Sequence, residues 1–476
     1  MEQGRNKKLI NDILIYGAGN FGSRLITFLI FPVYTFFIEP DSMGYYDLSL
    51  VTIIFLMPFI NLQLRDGVFR FLIDNKDDKG KKDIITQSYR LIFIMVLIAT
   101  VIFTILSFFV EIRCGAYIFA FLLAFAFYEV QVQIVRGLGL TKFYVLCGLI
   151  TAISILLLSL LFIVILKMNI EGIFLSNILA RVITLTVIEI KYSLLQKYFS
   201  FRTKFDDVAR SLLKFCLPLI LVTTFFWIIG NSLRYFISYE IGLYAFGIFA
   251  TAMKFTSIIE QIAGTVFLAW QETSIFQYHS EDRDRYYSSV MDAYLLVLTG
   301  IVIVFSFFMK SFYTYLVDTK YASGSIYVYV LCIALIGYSL QSFISALFQV
   351  EKKTVKMFQI AFVTAMVSLL FNFLFIRYFG LMGAAVSYGL SFLFMFTYYL
   401  ISANKSIKIV FSTRTLVVSL VLLIGGGVIF YGTNNVLWII SFCILSLYIL
   451  YLLLPKPILQ EVGNLIKKKT QNHRPE

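Results

Sequence analysis

Long, uninterrupted apolar runs dominate this chain, and short polar segments rich in Lys and Arg separate them. Each run has about 20 residues, which is the length of a helix that crosses a bilayer. The apolar positions are continuous and do not alternate with a period of two, so the runs predict helices and not barrel strands. The sequence predicts fourteen spans, which start near Asp12, Tyr45, Thr86, Gly115, Phe143, Gly172, Leu212, Tyr244, Val290, Ser325, Thr354, Met382, Thr415 and Val436.

The composition leads to the same class. Hydrophobic residues make up 60% of the 476 positions and charged residues 14%, whereas a typical soluble chain has about 25% charged residues. A soluble domain this apolar could not cover its surface with polar groups, which excludes a soluble enzyme and a disordered chain. We therefore expect an all-α polytopic membrane protein. No small-residue cleavage site follows the first apolar run, so this run predicts a retained span and not a signal peptide.

The net charge of +13 is explained by topology. If the N-terminus is cytoplasmic, the inner segments carry 27 Lys and Arg residues and the outer loops carry 5. Basic residues concentrate in cytoplasmic loops, so this orientation is predicted, and an even number of spans places both termini inside. The excess charge therefore does not indicate nucleic acid as a partner.

The loops are too short for a soluble catalytic domain, and no GxxxxGK[ST] phosphate loop is present. Two His residues and five Cys residues without CxxC spacing do not suggest a metal site or a disulfide framework. We expect no cofactor and no metal. The segment 455–476 predicts a basic amphipathic tail on the anionic inner leaflet.

Two weak internal matches suggest a duplication. Phe236–Tyr244 repeats features of Phe37–Tyr46, and the loop before Gly383 resembles the loop before Gly172. Together they predict two six-helix halves with a pseudo-two-fold axis along the membrane normal. The predicted segments are a first half (1–211), a second half (212–413), two appended helices (414–454) and the tail.

At this point the chain resembles a family. The opening motifs are YGAGN at 16–20, Arg24, FPVYT at 31–35 and PDSMGYY at 40–46, and the stretch from Gly242 to Lys254 supports them. With the span count, they resemble the Wzx-type O-antigen and polysaccharide flippases of the MATE-like (multidrug/oligosaccharidyl-lipid/polysaccharide) exporter superfamily.

The resemblance implies a function and partners. Such flippases move an undecaprenyl-pyrophosphate-linked glycan, an O-antigen or capsular repeat unit, from the inner to the outer leaflet of the bacterial cytoplasmic membrane by alternating access. A polysaccharide polymerase and chain-length machinery are further implied partners. The resemblance to lipid II flippases implies that the lipid tail lies along the last two spans.

Cations within the predicted spans are the candidates for binding the anionic head group, because charges in a bilayer are costly and are functional by default. Arg is suited to gripping a pyrophosphate with paired hydrogen bonds, and Lys acts as a compact charge. Arg24 and Lys254 are the deepest, and no acidic residue lies one helical turn from either. Arg65, Arg181 and Arg234 are further candidates, although each could instead form an ion pair, Arg234 with Glu240 in particular.

Carboxylates within the spans are candidates for coupling transport to an ion, H⁺ or Na⁺, since a buried carboxylate can exchange a proton. Glu129, Glu260 and Asp66 are the candidates. Glu129 lies beside Gln131 and Gln133, and this polar run suggests a water-facing wall. The alternative for Glu129 is an interhelical ion pair.

Two rival functions stay open. A MATE-type drug/cation antiporter would need an acidic cavity, whereas the deep charges here are basic. Antiporters of that type also have twelve spans, two fewer than the sequence predicts here. A membrane polysaccharide polymerase or ligase would carry a large outer loop with catalytic residues, and no outer segment here exceeds roughly 15 residues by the span lengths assumed.

Overall fold

The computed structural model of the protein describes residues 28–75, 77–199, 207–278, 280–351, 353–404 and 407–454, together with positions 22 and 26. This part of the chain is helical and contains no strand. The helices are α1 (Phe28–Phe37), α2 (Pro40–Ile60), α3 (Leu64–Asp74), α4 (Asp78–Ser107), α5 (Gly115–Gly137), α6 (Thr141–Ser159), α7 (Ile170–Tyr192), α8 (Leu194–Tyr198), α9 (Asp207–Glu240), α10 (Leu243–Gln277), α11 (Arg283–Leu316), α12 (Ser325–Val350), α13 (Thr354–Ala403), α14 (Thr413–Gly432) and α15 (Val436–Leu453).

Twelve of the described helical segments are long and apolar enough to cross a membrane. One of them, α13, contains a break at Gly380 (φ 59°, ψ −140°), a conformation that is essentially restricted to glycine. The break divides α13 into the two spans predicted to start near Thr354 and Met382. With these two arms, the described residues account for the thirteen spans predicted from Tyr45 onward, and α1 lies where the first predicted span is expected to end. The protein is an all-α polytopic membrane protein.

Helix ends follow the local sequence. Pro40 occupies the first turn of α2, where its missing N–H costs nothing. Asp77 caps α4 by accepting a hydrogen bond from the Gly80 amide (3.3 Å), and Asn435 caps α15 through the Leu437 amide (3.0 Å). The cap at Asn435 separates α14 from α15 at the position that the sequence predicted.

By packing, the chain divides into two compact units, one ending at Gly247 and the other beginning at Ile248. In the first unit α5, α6 and α7 pack together, α3 packs on α5, and α9 packs on α2, α3 and α4. In the second unit α12 packs on α11 and α13, and the α14–α15 pair packs on α11. The predicted segment boundaries at 211, 413 and 454 stay predictions, and the tail 455–476 lies outside the described residues.

Candidate substrate-binding site

The second predicted span is broken near its end. After α2, Leu62 and Gln63 both adopt left-handed backbone conformations (φ 49° and 54°), which cost about 1–2 kcal/mol each for residues other than glycine. The buried side chain of Asn61 supports the turn, since its Oδ1 accepts a hydrogen bond from the Gln63 amide (2.9 Å). Broken membrane helices occur where the backbone lines a cavity or lies within protein, so this break marks a candidate site.

An ion pair holds α3 to α5 beside the break. The Arg65 guanidinium donates from Nη1 to Glu129 Oε1 (2.9 Å), and Asn61 Nδ2 donates to Glu129 Oε2 (3.0 Å). Asp66 lies at the other side of Arg65, 3.6 Å from its Nε, and accepts from Gln63 Nε2 (2.6 Å). We call these five side chains the Glu129 cluster. Glu129 therefore forms the interhelical ion pair that the sequence left as the alternative to ion coupling.

A cavity of 190 Å³ opens next to the Glu129 cluster. Its walls come from α3, α5 and α6, so it lies entirely within the first unit. The side chain of Arg65 is 45% exposed and that of Glu129 15%. The lining residues are Arg65, Phe125, Tyr128, Glu129, Val132, Gln133, Tyr144, Val145 and Gly148.

The polar run on α5 divides between two environments. Gln131 is buried, and its Oε1 accepts a hydrogen bond from the Tyr89 hydroxyl (2.9 Å). Gln133 lines the cavity instead, and its buried Oε1 has no hydrogen-bond partner in the described part of the chain. The wall predicted from this run therefore includes Glu129 and Gln133, whereas the prediction is wrong for Gln131.

Arg181 is buried in an aromatic surround. Its Nη1 donates to the Asn177 carbonyl (2.8 Å) and to Asn177 Oδ1 (3.0 Å). Its guanidinium carbon lies 4.6 Å and 4.5 Å from the ring centroids of Phe121 and Phe125. Its Nε has no partner among the described atoms, and the ion pairs found in the described residues do not include it. In the described part of the chain no carboxylate lies within ion-pair distance of Arg181, and Glu129 interacts with it only at longer range. Aromatic faces and an amide surround the charge.

A second ion pair joins α2 to α9. Arg234 pairs with Asp47, and flanking contacts run along the same seam: Trp227 Nε1 donates to the Val51 carbonyl (3.0 Å). The side chains of Arg234 and Asp47 are only 15% and 6% exposed. The proposed Arg234–Glu240 pair is therefore not the one formed by Arg234; Asp47 provides the carboxylate from a neighbouring helix.

Near the same end of α2, two backbones approach closely. A Cβ atom added to Gly44 would overlap the Leu243 carbonyl oxygen, and one added to Gly247 would overlap the Pro40 carbonyl oxygen. Only glycine allows this contact between α2 and the first turns of α10. Both glycines therefore have a packing reason that is independent of any ligand.

The remaining candidates lie elsewhere. Lys254 is partly buried on α10 between buried Met253 and Phe255. Glu260, also on α10, accepts a hydrogen bond from the Tyr388 hydroxyl (2.9 Å). Arg24 lies outside the described residues. The structure thus brings Arg65, Asp66 and Glu129 together in the first unit, with Arg234 separate at the other end of α2.

Among the described residues, no group of three or more His, Cys, Asp or Glu side chains could hold a metal ion. The Glu129 cluster contains two carboxylates, and both already accept hydrogen bonds from Arg65, Asn61 or Gln63.

The family described as polysaccharide biosynthesis protein matches residues 9–271, which is more than half of the chain. The chain belongs to this family. No curated protein matches it.

Solved structures with the same fold are transporters. This chain is 14% identical to the lipid II flippase MurJ in an inward closed conformation. The two structures match with a TM-score of 0.72, and the match covers 94% of this chain and 99% of the other. An inward-facing multidrug resistance MATE family transporter of the MOP superfamily is 16% identical, with a TM-score of 0.66 and coverage of 80% and 95%. An outward-facing one is 14% identical, with a TM-score of 0.59 and coverage of 83% and 95%.

Sequence reasoning missed several residues at the site of this polysaccharide biosynthesis protein. Asn61 and Asp47 were not singled out, although Asn61 interrupts an apolar run shortly after Pro58, and that interruption is a signal of a broken helix. Asn177 lies four residues before Arg181, one helical turn away. Nothing in the sequence alone indicates that Tyr144, on the next helix, lines the same cavity as Gln133.

Proposed function

We propose that this protein is a flippase that moves an undecaprenyl-pyrophosphate-linked oligosaccharide, an O-antigen or capsular repeat unit, from the inner to the outer leaflet of the cytoplasmic membrane. The protein acts as a transporter and not as an enzyme. The head group passes through a cationic cavity by alternating access of the predicted halves 1–211 and 212–413, and the lipid tail stays in the bilayer along α14 and α15.

One observation carries the proposal: the family match in polysaccharide biosynthesis coincides with a fold shared with a lipid II flippase over nearly the whole chain. The likeness to the MATE transporters covers less of this chain, 80% and 83%. The structural likeness to a lipid II flippase and the match to a polysaccharide biosynthesis family together point to a lipid-linked glycan as the cargo.

Charge within the membrane supports an anionic cargo. Arg181 is a buried cation held by aromatic rings and Asn177. Arg24 and Lys254 are assigned with it to the pyrophosphate, which carries the negative charges that a guanidinium or ammonium group would neutralise. Arg65 and Arg234 contribute less, because each already has a carboxylate partner.

The orientation is proposed from the basic loops, which place both termini in the cytoplasm. The coupling ion is proposed to be H⁺ or Na⁺. Glu129 is the foremost coupling residue because its carboxylate borders a cavity, and Asp66 belongs to the same cluster. Glu260 is the candidate in the second unit.

The experiment that tests the function is deletion of the gene, followed by measurement of undecaprenyl-linked repeat units on the inner leaflet. The flippase predicts their accumulation and the loss of surface polysaccharide, and expression of the intact chain restores both. If surface polysaccharide is lost without accumulation on the inner leaflet, the flippase assignment fails and a polymerase or ligase gains support. A drug/cation antiporter predicts neither change.

A further inference from the structure

The cavity beside the Glu129 cluster combines aromatic and planar polar side chains. Phe125, Tyr128 and Tyr144 contribute three rings, while Arg65, Glu129 and Gln133 contribute a guanidinium, a carboxylate and an amide. Sugar rings bind through apolar C–H faces laid on aromatic rings and through hydroxyl groups that both donate and accept hydrogen bonds. The chemistry of the lining therefore matches a pyranose more closely than it matches a lipid chain or a bare anion.

The charge balance argues against the pyrophosphate as the occupant of this cavity. The positive charge of Arg65 is matched by Glu129 at 2.9 Å, and Asp66 lies 3.6 Å away on the other side. A pyrophosphate placed here would meet the carboxylates of Glu129 and Asp66 together with two cations, Arg65 and Arg181. The Arg181 guanidinium carbon lies 4.5 Å from the Phe125 ring in the cavity wall, so the charge around the cavity is balanced and not net positive. An uncharged ring with hydroxyl groups needs no net positive charge, and it can donate a hydrogen bond to Glu129 and accept one from Arg65 while these two side chains stay paired.

One buried acceptor beside the cavity has no hydrogen-bond partner among the described atoms. Gln133 Oε1 is shielded from solvent and accepts no hydrogen bond from the described residues, and rotation of the terminal amide, a soft torsion, would turn this oxygen toward the cavity that the residue lines. A buried polar atom without a partner costs about 1–3 kcal/mol, and a hydroxyl donor from a ligand would remove that cost. Gln133 therefore points to a ligand that carries O–H groups.

The size of the cavity limits the ligand to one ring. Sites for drug-sized molecules are about 300–1,000 Å³, whereas this one is 190 Å³. Glu129 lies fourteen residues after the start of α5, or about 21 Å along the helix, and Tyr144 lies in the first turn of α6. The cavity is thus near the predicted inner side, where a repeat unit is first encountered.

We propose that this cavity is a subsite for a single monosaccharide ring of the glycan. In this subsite Gln133 accepts a hydrogen bond from a sugar hydroxyl, and the aromatic side chains pack against the face of the sugar ring. The proposal rests on the proposed flippase function for the identity of the glycan. It separates the work of the two parts of the cargo: the sugar ring binds beside the Glu129 cluster, and the pyrophosphate binds outside this cavity.

The test uses the full chain in lipid nanodiscs, because sugar-based detergents would compete for the site. Binding of methyl glycosides of a neutral hexose, an N-acetylhexosamine and a hexuronic acid is measured by calorimetry, and inorganic pyrophosphate serves as the anionic probe. The variants are Gln133→Leu and, as the matched control, Gln131→Leu, which lies on the same helix with a buried amide but outside the cavity.

We expect at least one glycoside to bind, Gln133→Leu to weaken its affinity about tenfold, the loss expected for one hydrogen bond, and Gln131→Leu to leave it within about twofold. Pyrophosphate should not displace the glycoside. The proposal is overturned if no glycoside binds up to its solubility, if Gln133→Leu binds as the intact chain does, or if pyrophosphate competes with the glycoside.

Failure of the subsite and failure of the flippase function give different results. If lipid-linked repeat units accumulate in the deletion strain but no glycoside binds, the subsite proposal is wrong and the flippase function is still supported. If glycoside binding depends on Gln133 but lipid-linked repeat units do not accumulate, the sugar site is supported and the flippase function is wrong.

Discussion

The two ends of α2 carry the same kind of interaction in different surroundings. At one end Asp47 pairs with Arg234, and both side chains are at most 15% exposed. At the other end Asn61 and Arg65 hold Glu129, the Arg65 side chain is 45% exposed, and a cavity opens beside the pair. Asp47 and Asn61 are fourteen residues apart, which is about 21 Å along a helix.

The difference in exposure separates a clamp from a binding site. A sealed ion pair has no room for a third group, so the Asp47–Arg234 pair and the nearby glycine contact fix α2 to α9 and α10. A pair that borders a cavity can share its hydrogen bonds with a ligand. We therefore assign substrate binding, within the proposed function, to the exposed end of α2, and stability measurements should distinguish the two ends.

The largest effect on stability is expected from Asp47→Asn. The substitution leaves the Arg234 guanidinium buried without its carboxylate, and breaking a buried pair in this way costs about 3–5 kcal/mol. Unfolding of the purified protein in detergent measures the loss. A double variant, Asp47→Asn with Arg234→Gln, should lose less than the sum of the single variants. Additive losses would contradict the clamp.

A smaller loss is expected from Gly247→Ala. The added methyl group would overlap the Pro40 carbonyl oxygen, and overpacking of this kind costs about 1–3 kcal/mol. Gly230→Ala is the matched control, since no atom lies within 4 Å of its added Cβ and alanine favours the interior of α9 by up to about 1 kcal/mol. Equal melting temperatures for the two variants would contradict the close contact between α2 and α10.

Glu129→Gln should cost still less stability. The amide keeps one acceptor oxygen, which can serve either Asn61 or Arg65 but not both. The half-exposed Arg65 regains water, so the loss should be about 1 kcal/mol, close to that of exposed pairs. The same thermal unfolding assay gives a direct comparison with Asp47→Asn. A loss as large as that of Asp47→Asn would show that both ends of α2 are clamps.

The same variant tests ion coupling. If Glu129 exchanges the coupling ion, flipping by Glu129→Gln should no longer depend on a proton or sodium gradient. Glu260→Gln is the matched control in the second unit, because Glu260 accepts a hydrogen bond from Tyr388. Gradient dependence that survives in Glu129→Gln and is lost in Glu260→Gln would transfer the coupling role to α10.

Arg181→Met should change stability by less than about 1 kcal/mol, because an apolar side chain of similar length removes the cost of burying a charge and also its attraction to the aromatic rings. Surface polysaccharide should nevertheless fall at least about tenfold, since the pyrophosphate loses a cation in the membrane. Arg377→Met is the control, an exposed cation over the ring of Phe373. Normal polysaccharide with Arg181→Met would remove this residue from the binding site.

The helices were predictable because each span has a local signal. About 20 apolar residues suffice to identify a span, and even the break at Gly380 lies between the spans predicted to start near Thr354 and Met382. The break after α2 was not predicted, because Leu62 and Gln63 adopt positive φ only with the support of Asn61.

Pairing between helices was harder to predict. The sequence placed Arg234 with the nearby Glu240, whereas its partner Asp47 is 187 positions away. A one-turn rule finds contacts within a helix, such as Asn177 with Arg181. It cannot find Glu129 for Arg65, or Tyr144 beside Gln133, because those contacts depend on how separate helices pack.

The smallest effect concerns Cys114, which reports the side of the membrane that the Asp47 end of α2 faces. Cys114 lies in the turn before α5, next to Arg113, and Arg113 lies 3.6 Å from Asp41 in the first turn of α2. The thiol donates to Glu171 Oε1 (3.4 Å). Burial, together with the Glu171 carboxylate, raises the pKa of the Cys114 thiol to about 11.

Because only the thiolate reacts, a membrane-impermeant maleimide should label Cys114 slowly at pH 8, and faster as the pH rises toward 11. Glu171→Gln removes the carboxylate charge that opposes ionisation of the Cys114 thiol. The pKa of Cys114 should therefore fall and its labelling rate should rise several-fold, while the effect of burial persists. Labelling of intact cells, absent in Cys114→Ser, places the clamped end of α2 outside and the cavity at the inner side. Labelling that requires permeabilised cells would invert the two ends, and a subsite that loads glycan from the cytoplasm would then be at the wrong face.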